Sequence, residues 1–135
     1  MKLLIIDDND AVAEVLSELL LLQDGKNGQL GIEFVVMAGN LKDAKQALGG
    51  MLPGDAVICD GNFPAFSGGK PVPHWPEVAG LASKLGLRFV LHTGDGDMAD
   101  YAHSRGHAAL TKPAVTSQIY DALLYGRAQA LAKAA

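Results

Sequence analysis

An α/β fold with a doubly wound, five-stranded parallel sheet is predicted by two features of this sequence. Short apolar runs alternate along the chain with segments whose apolar residues recur at helical spacing, the pattern of repeated βαβ units with helices on both faces of the sheet. Four of the runs also end on residues suited to phosphate or metal: LLIIDD on Asp7 and Asp8, AVICD on Asp60, FVLHT on Thr93 and AALTK on Lys112. In parallel strands such ends converge on one sheet edge, where open α/β folds place their ligands.

The strands are expected near Lys2 to Asp7, Ile32 to Ala38, Ala56 to Asp60, Arg88 to Thr93 and Ala108 to Thr111. After the first, Asn9 or Asp10 is the N-cap of a helix whose Val12, Val15, Leu16, Leu19 and Leu20 form an apolar stripe. Asn40 caps a second helix presenting Leu41, Ala44 and Leu48, and Gly49-Gly50 stops it. Pro76 suits the first turn of a third, carrying Val78, Leu81, Ala82 and Leu85 and closing at Gly86. A short fourth helix, roughly Met98 to Arg105, follows a loose Asp95-Gly96-Asp97 and is expected to be the least stable. The fifth, from about Thr116, carries two stripes. Ile119, Ala122, Leu123, Gly126 and Ala130 face the sheet, while Tyr120, Leu124 and Leu131, with Arg127 among them, are left outside as an interaction surface or as scattered surface apolar residues.

The 135 residues are expected to form a single domain with no output domain. Eleven basic against fifteen acidic residues give a net charge of -4 with no basic stripe, which argues against direct nucleic-acid or membrane-surface binding. The one cysteine, Cys59, excludes a disulfide framework and fits a reducing compartment. Asp7 and Asp8 interrupt the N-terminal apolar run too early for a signal peptide, and nothing approaches a membrane span, so a cytoplasmic protein is expected.

The acids, hydroxyl and ammonium together point to phosphoryl chemistry over Mg2+. Crowded carboxylates repel one another, which favours a hard divalent cation. Asp60, ending what should be the central strand, is the candidate nucleophile. Asp8, Asp60 and the backbone carbonyl of Asn62 are the expected metal ligands, with Asp7 acting through bound water. Lys112 would hold one phosphoryl oxygen and the Thr93 hydroxyl another, so that catalysis rests on positioning and electrostatics.

These residues resemble the receiver domain of bacterial two-component response regulators. The resemblance rests on Asp7-Asp8, the segment Asp60-Gly61-Asn62-Phe63-Pro64 with Gly68 beyond it, Thr93 followed by Gly94, and Lys112-Pro113, and it spans almost the whole chain. It implies a stand-alone receiver that accepts a phosphoryl group on Asp60 from a sensor histidine kinase, a phosphotransfer protein or a small phosphodonor, with self-catalysed transfer and autodephosphorylation. It also implies the flavodoxin-like strand order 2-1-3-4-5, for which a receiver is a standard example, and a cis bond before Pro113. Signalling would pass to a downstream protein, and a homodimer or a heterologous partner would use the Tyr120, Leu124 and Leu131 surface.

Three departures from the family stand out. Ala109 occupies the fifth-strand position where family members carry an inward-turning Tyr or Phe, leaving Tyr101 as the nearest ring. The segment from Thr93 to Lys112 is a few residues short. The connection Gly68 to Pro76 is long and made stiff by three prolines, so that His74 and Trp75 either cover the site, meet a partner or pack the loop onto the domain.

Two other functions share some of these residues. A pseudo-receiver would keep the fold without turning over phosphate, which Ala109 favours. A haloacid-dehalogenase-type phosphatase would use Asp8 as nucleophile in Asp8-Asn9-Asp10-Ala11-Val12, but no later acidic motif follows Lys112. His74, His92, His103 and His107 show no metal-ligand spacing beyond the i,i+4 pair His103 and His107, which Gly106 interrupts, and all four read as structural or solvated.

Overall fold

A computed structural model describes residues 1–134 of the chain, with side chains described through Gly126. Its ten elements alternate: β1 (Lys2–Ile6), α1 (Asp10–Asn27), β2 (Phe34–Ala38), α2 (Leu41–Leu48), β3 (Ala56–Asp60), α3 (Trp75–Leu85), β4 (Arg88–Thr93), α4 (Gly96–Ser104), β5 (Ala108–Thr111) and α5 (Thr116–Ala134). All strands are parallel, in the order β2-β1-β3-β4-β5. This is the expected flavodoxin-like arrangement, and it puts β3 at the centre.

Side chains on successive strand residues point to opposite faces, and the chain uses both faces for core. Leu4, Ile6, Val57, Cys59, Leu91 and Ala109 pack beneath α2, α3 and α4. Leu3, Ile5, Ala56, Ile58 and Val90 pack beneath α1 and α5. Burial on both faces explains why the strands read as continuous apolar runs.

Local chemistry sets the helix ends. The Asn9 side chain accepts from the Val12 N–H to cap α1, and Asn40 accepts from the Asp43 N–H to cap α2. Gly28 and Gly86 end α1 and α3 in the left-handed conformation that a Cβ would disfavour. Helix α4 begins two residues before its expected start, because Asp95 is ordered as a cap: its carboxylate accepts from the Asp97 and Met98 N–H groups. The Lys112–Pro113 bond is cis.

Two apolar stripes lie differently from the sequence expectation. Helix α1 buries Ala13, Leu16, Ser17, Leu20 and Asp24, whereas Val12, Val15 and Leu19 are exposed, Val15 by 56%. The helix is rotated about its axis so that small and polar residues fit against α5 and the sheet. On α5, Ile119 and Leu123 face the core as expected, but Tyr120 is fully buried as well and Leu124 packs against the same core. The proposed outer surface of Tyr120 and Leu124 therefore does not exist in that form. Leu131, Arg127 and Ala130 lie outside the described side chains.

The reason is a polar knot at the end of α1. The Tyr120 hydroxyl donates to Asp24 Oδ1 at 2.6 Å and accepts from the Leu30 N–H at 3.2 Å. Asp24 also accepts from the backbone N–H groups of Leu30, Gly31 and Ile32. One buried carboxylate thus joins α1, the turn into β2 and α5. Burial pushes the Asp24 carboxyl up, but the Tyr120 and backbone hydrogen bonds outweigh it, so its pKa lies below the ordinary 3.8.

Tyr120→Phe is expected to lower stability by about 1.5–3 kcal/mol, the range for a lost hydrogen bond to a charged group. A urea unfolding midpoint shifted down at unchanged slope is the result that checks it. Because the Asp24 pKa is depressed, its contribution is complete above about pH 4 and is lost as pH falls through the folded value. Asp24→Asn should therefore flatten the acid limb of stability against pH below 3.8.

Candidate functional site

Parallel register brings the ends of β1, β3, β4 and β5 to one edge of the sheet. Asp7 leaves β1 with its N–H still bonded to the Ala38 carbonyl, and its side chain is buried. Asp7 Oδ1 accepts from the Asn9 N–H at 2.9 Å, which turns the chain into α1. Asp60 ends β3, half-buried, with Oδ1 accepting from the Gly61 N–H at 2.7 Å. Asp8 is exposed beside them. One oxygen from each of Asp7, Asp8 and Asp60 lies within 4.8 Å of the others.

Lys112 closes this cluster from just past the end of β5. Its N–H is bonded to the Thr93 carbonyl at 2.7 Å, which aims the side chain inward. Nζ reaches Asp7 Oδ2 at 3.1 Å and Asp60 Oδ1 at 3.4 Å. The Thr93 side chain is buried beside Gly61: a Cβ on that glycine would lie 2.6 Å from Thr93 Oγ1. Asn62 is exposed in the turn past Asp60.

The electrostatics follow from this crowding. Burial and then the neighbouring Asp7 charge push the Asp60 carboxyl up, with Lys112 opposing them. Burial pulls the Lys112 ammonium down, but Asp60 and Asp7 more than compensate, so it stays firmly charged. One cation thus partly balances three carboxylates. Oxygen donors in this number, still short of positive charge, suit a hard divalent cation. Cys59, next to Asp60 and buried, has its thiol pushed well up by burial and by both acids, and so stays neutral and unreactive.

The segment beyond Asp60 is anchored. Phe63 and Val72 exchange backbone hydrogen bonds in an antiparallel bridge, and the carbonyls of Pro64 and Ala65 accept from the first turn of α2. Trp75 is buried, with its ring edge-on to Tyr101 at 6.1 Å and to His107 at 6.0 Å. It packs the loop onto the domain. His74 stacks obliquely on Phe63, and His107 also meets Phe89.

His92, expected from the sequence to be structural or solvated, is buried. It sits on β4 directly beside Asp60 in register, but its side chain faces α1 and α5. It is 7% exposed, and its Nε2 has no hydrogen-bond partner among the described residues. Burial and then Lys112 lower its pKa, with Asp7 opposing, so the ring is held neutral. It lines a largely apolar groove of about 490 Å³ with Val12, Val15, Leu19, Lys112 and Pro113. An alternating strand pattern would have marked position 92 as inward, though not its proximity to Lys112.

No family model and no curated protein matches this chain. Solved structures do. A response regulator from Burkholderia pseudomallei, determined with a phosphorylated aspartic acid, a calcium ion and citrate, aligns over 99% of this chain and 72% of its own at 23% identity and a TM-score of 0.70. A response regulator receiver domain from Clostridium thermocellum aligns over 95% and 94% at 21% identity and a TM-score of 0.70. A receiver protein from Sinorhizobium medicae covers 94% of each chain at 20% identity and a TM-score of 0.69. The chain has the receiver-domain fold along nearly its whole length.

Because the Asp60 pKa is raised, its ionised form destabilises the metal-free fold above that pKa, and the penalty disappears at lower pH where the group is protonated. Asp60→Asn is therefore expected to raise the melting temperature in chelator at pH 7, with the gain shrinking toward pH 4. Saturating Mg2+ should narrow or reverse the difference, since the variant has lost a ligand. A loss of stability in chelator would contradict the assigned crowding.

Proposed function

We propose that this chain is a phosphoacceptor receiver of two-component signalling, with Asp60 as the residue phosphorylated. The observation that carries the reading is Asp60 itself, half-buried at the end of the central strand, paired with Lys112 and flanked by Asp7 and Asp8. The phosphorylated aspartic acid and calcium ion of the Burkholderia structure are in keeping with it.

In this reading an Asp60 oxygen forms a bond to phosphorus as the N–P bond of a donor phosphohistidine breaks, and the departing imidazole takes up a proton. Asp8 and Asp60, the Asn62 carbonyl and Asp7 directly or through water would hold Mg2+, which supplies positive charge to the phosphoryl oxygens. Lys112 moves from the carboxylates onto one phosphoryl oxygen, and the Thr93 hydroxyl donates to another. Water later attacks phosphorus, releasing inorganic phosphate and returning the carboxylate. The role is that of a self-catalysing acceptor and signal, not of an enzyme acting on other substrates.

The donor is a sensor histidine kinase or a phosphotransfer protein, and the signal leaves by contact with a further protein. The exposed Val12, Val15 and Leu19 of α1 run beside the groove that Lys112 borders, giving a protein donor apolar surface to bury next to the acids. Among the described residues no helix is long and apolar enough to cross a membrane, and a cytoplasmic site of action fits the proposed donor. Asp8, the nucleophile a dehalogenase-type phosphatase would need, is exposed and has no ion pair among the described residues.

Incubation with Mg2+ and acetyl phosphate should add one phosphoryl group to the intact mass, and borohydride trapping should locate it at Asp60. Asp60→Ala should abolish the adduct, and Lys112→Ala should still accept phosphate while failing to alter partner binding. A trapped adduct at Asp8 would transfer the assignment to the phosphatase, and no adduct from acetyl phosphate or any kinase would leave a pseudo-receiver. Val15→Asp with Leu19→Asp should slow transfer from a kinase at least about tenfold, the effect of losing roughly 1.4 kcal/mol at a protein interface. The same variant should leave the acetyl phosphate reaction unchanged, because both positions lie off the acid cluster.

A further inference from the structure

We infer that Met98 is a positioning residue that holds the Thr93 hydroxyl away from the phosphoacceptor until Asp60 is phosphorylated, and so takes the coupling role that β5 cannot fill. The inference rests on the receiver reading above and concerns how that site is switched. Thr93 Oγ1 has one proton, and it is directed at Met98 Sδ, 3.6 Å away. The same oxygen accepts from the Asp95 N–H at 3.1 Å. Asp95 in turn caps α4, with Oδ1 accepting from the N–H groups of Asp97 at 3.0 Å and Met98 at 3.2 Å. The hydroxyl, the cap and the thioether are therefore one connected unit at the first turn of α4.

Gly61 makes room for this unit. A Cβ there would overlap Met98 Sδ outright and crowd both Oγ1 and Cβ of Thr93. The space beside the acceptor that a larger residue would fill is thus occupied by a side chain reaching in from α4. On β5 the corresponding reporter is missing, since Ala109 is buried and ends in a methyl group.

A thioether is a weak acceptor, whereas a phosphoryl oxygen is charged and binds a hydroxyl proton much more strongly. When phosphate arrives on Asp60, Thr93 gains by turning its hydroxyl to it. That turn breaks the bond to Met98, disturbs the one from Asp95 and frees the Met98 side chain, whose unbranched thioether adapts readily to a new seat. The first turn of α4 carries the change to the surface.

The test uses protein labelled at its methionine methyl groups, titrated with Mg2+ and beryllofluoride, with the Met98 signal assigned from Met98→Leu. The Met98 methyl should shift together with the Gly61 and Thr93 amides, while that of Met37, exposed on β2, stays in place. Met98→Leu keeps the bulk and loses the acceptor, so it should tighten beryllofluoride binding about two- to fivefold, the scale of a weak hydrogen bond. That gain should vanish in a Thr93→Val background, as a double-mutant cycle requires of a pair acting through one bond. Amide shifts with a stationary Met98 methyl, or a gain that persists once the Thr93 hydroxyl has been removed, would overturn the inference and leave the receiver reading intact. No amide shift at all would remove both.

Discussion

The reach of Lys112 from the end of β5 to Asp7 and Asp60 is the interaction on which the site depends. Parallel register delivers carboxylates from β1 and β3 to the same few ångströms, and like charges at that separation resist further crowding. A single ammonium with both acids in range, at 3.1 Å and 3.4 Å, makes the arrangement tolerable without making it neutral. The remaining negative charge is what a cation and a phosphoryl group can use. Burial and then the Asp7 charge raise the Asp60 pKa, while Asp60 and Asp7 keep Lys112 charged.

Much of the fold was legible in the chain because the strands obey simple rules. β3, β4 and β5 begin and end where their apolar runs do, and the functional residues sit at those ends. The caps at Asn9 and Asn40 were equally readable, since each is a short polar side chain directly before a helical stripe. What misled was abundance. Between Val12 and Leu22, α1 has more apolar residues than one face can bury, so spacing alone admits more than one inward stripe. The observed face joins Leu16 and Leu20 to Ala13, Ser17 and Asp24, and a hydrophobic pattern does not count the last two.

Tyr120 failed for a related reason. Its partner Asp24 is 96 residues away, and only the folded chain shows that a phenol on α5 completes the hydrogen bonds of a carboxylate on α1. Without that partner a tyrosine in the second stripe of α5 reads as surface. Met98 belongs to the same class: its meaning lies in contacts made across elements, with Gly61 and Thr93. The site's charged residues were visible in one dimension; the side chains that adjust it were not.

The packing around Thr93 bears on how far a change there can travel. Gly61 leaves space beside Thr93, and Met98 fills it from α4. The other end of α4 is pinned, with Tyr101 against Trp75 and Trp75 against His107, just before β5. Trp75 is itself tied to the loop that leaves Asp60, through the Phe63 and Val72 bridge. In the proposed switch, motion started at Met98 would pass to the Asp95 cap, which is bonded to Thr93, and would be resisted at the ring cluster. In that switch a helix of nine residues held this way would shift at its first turns, where Asp97 and Asp100 are exposed.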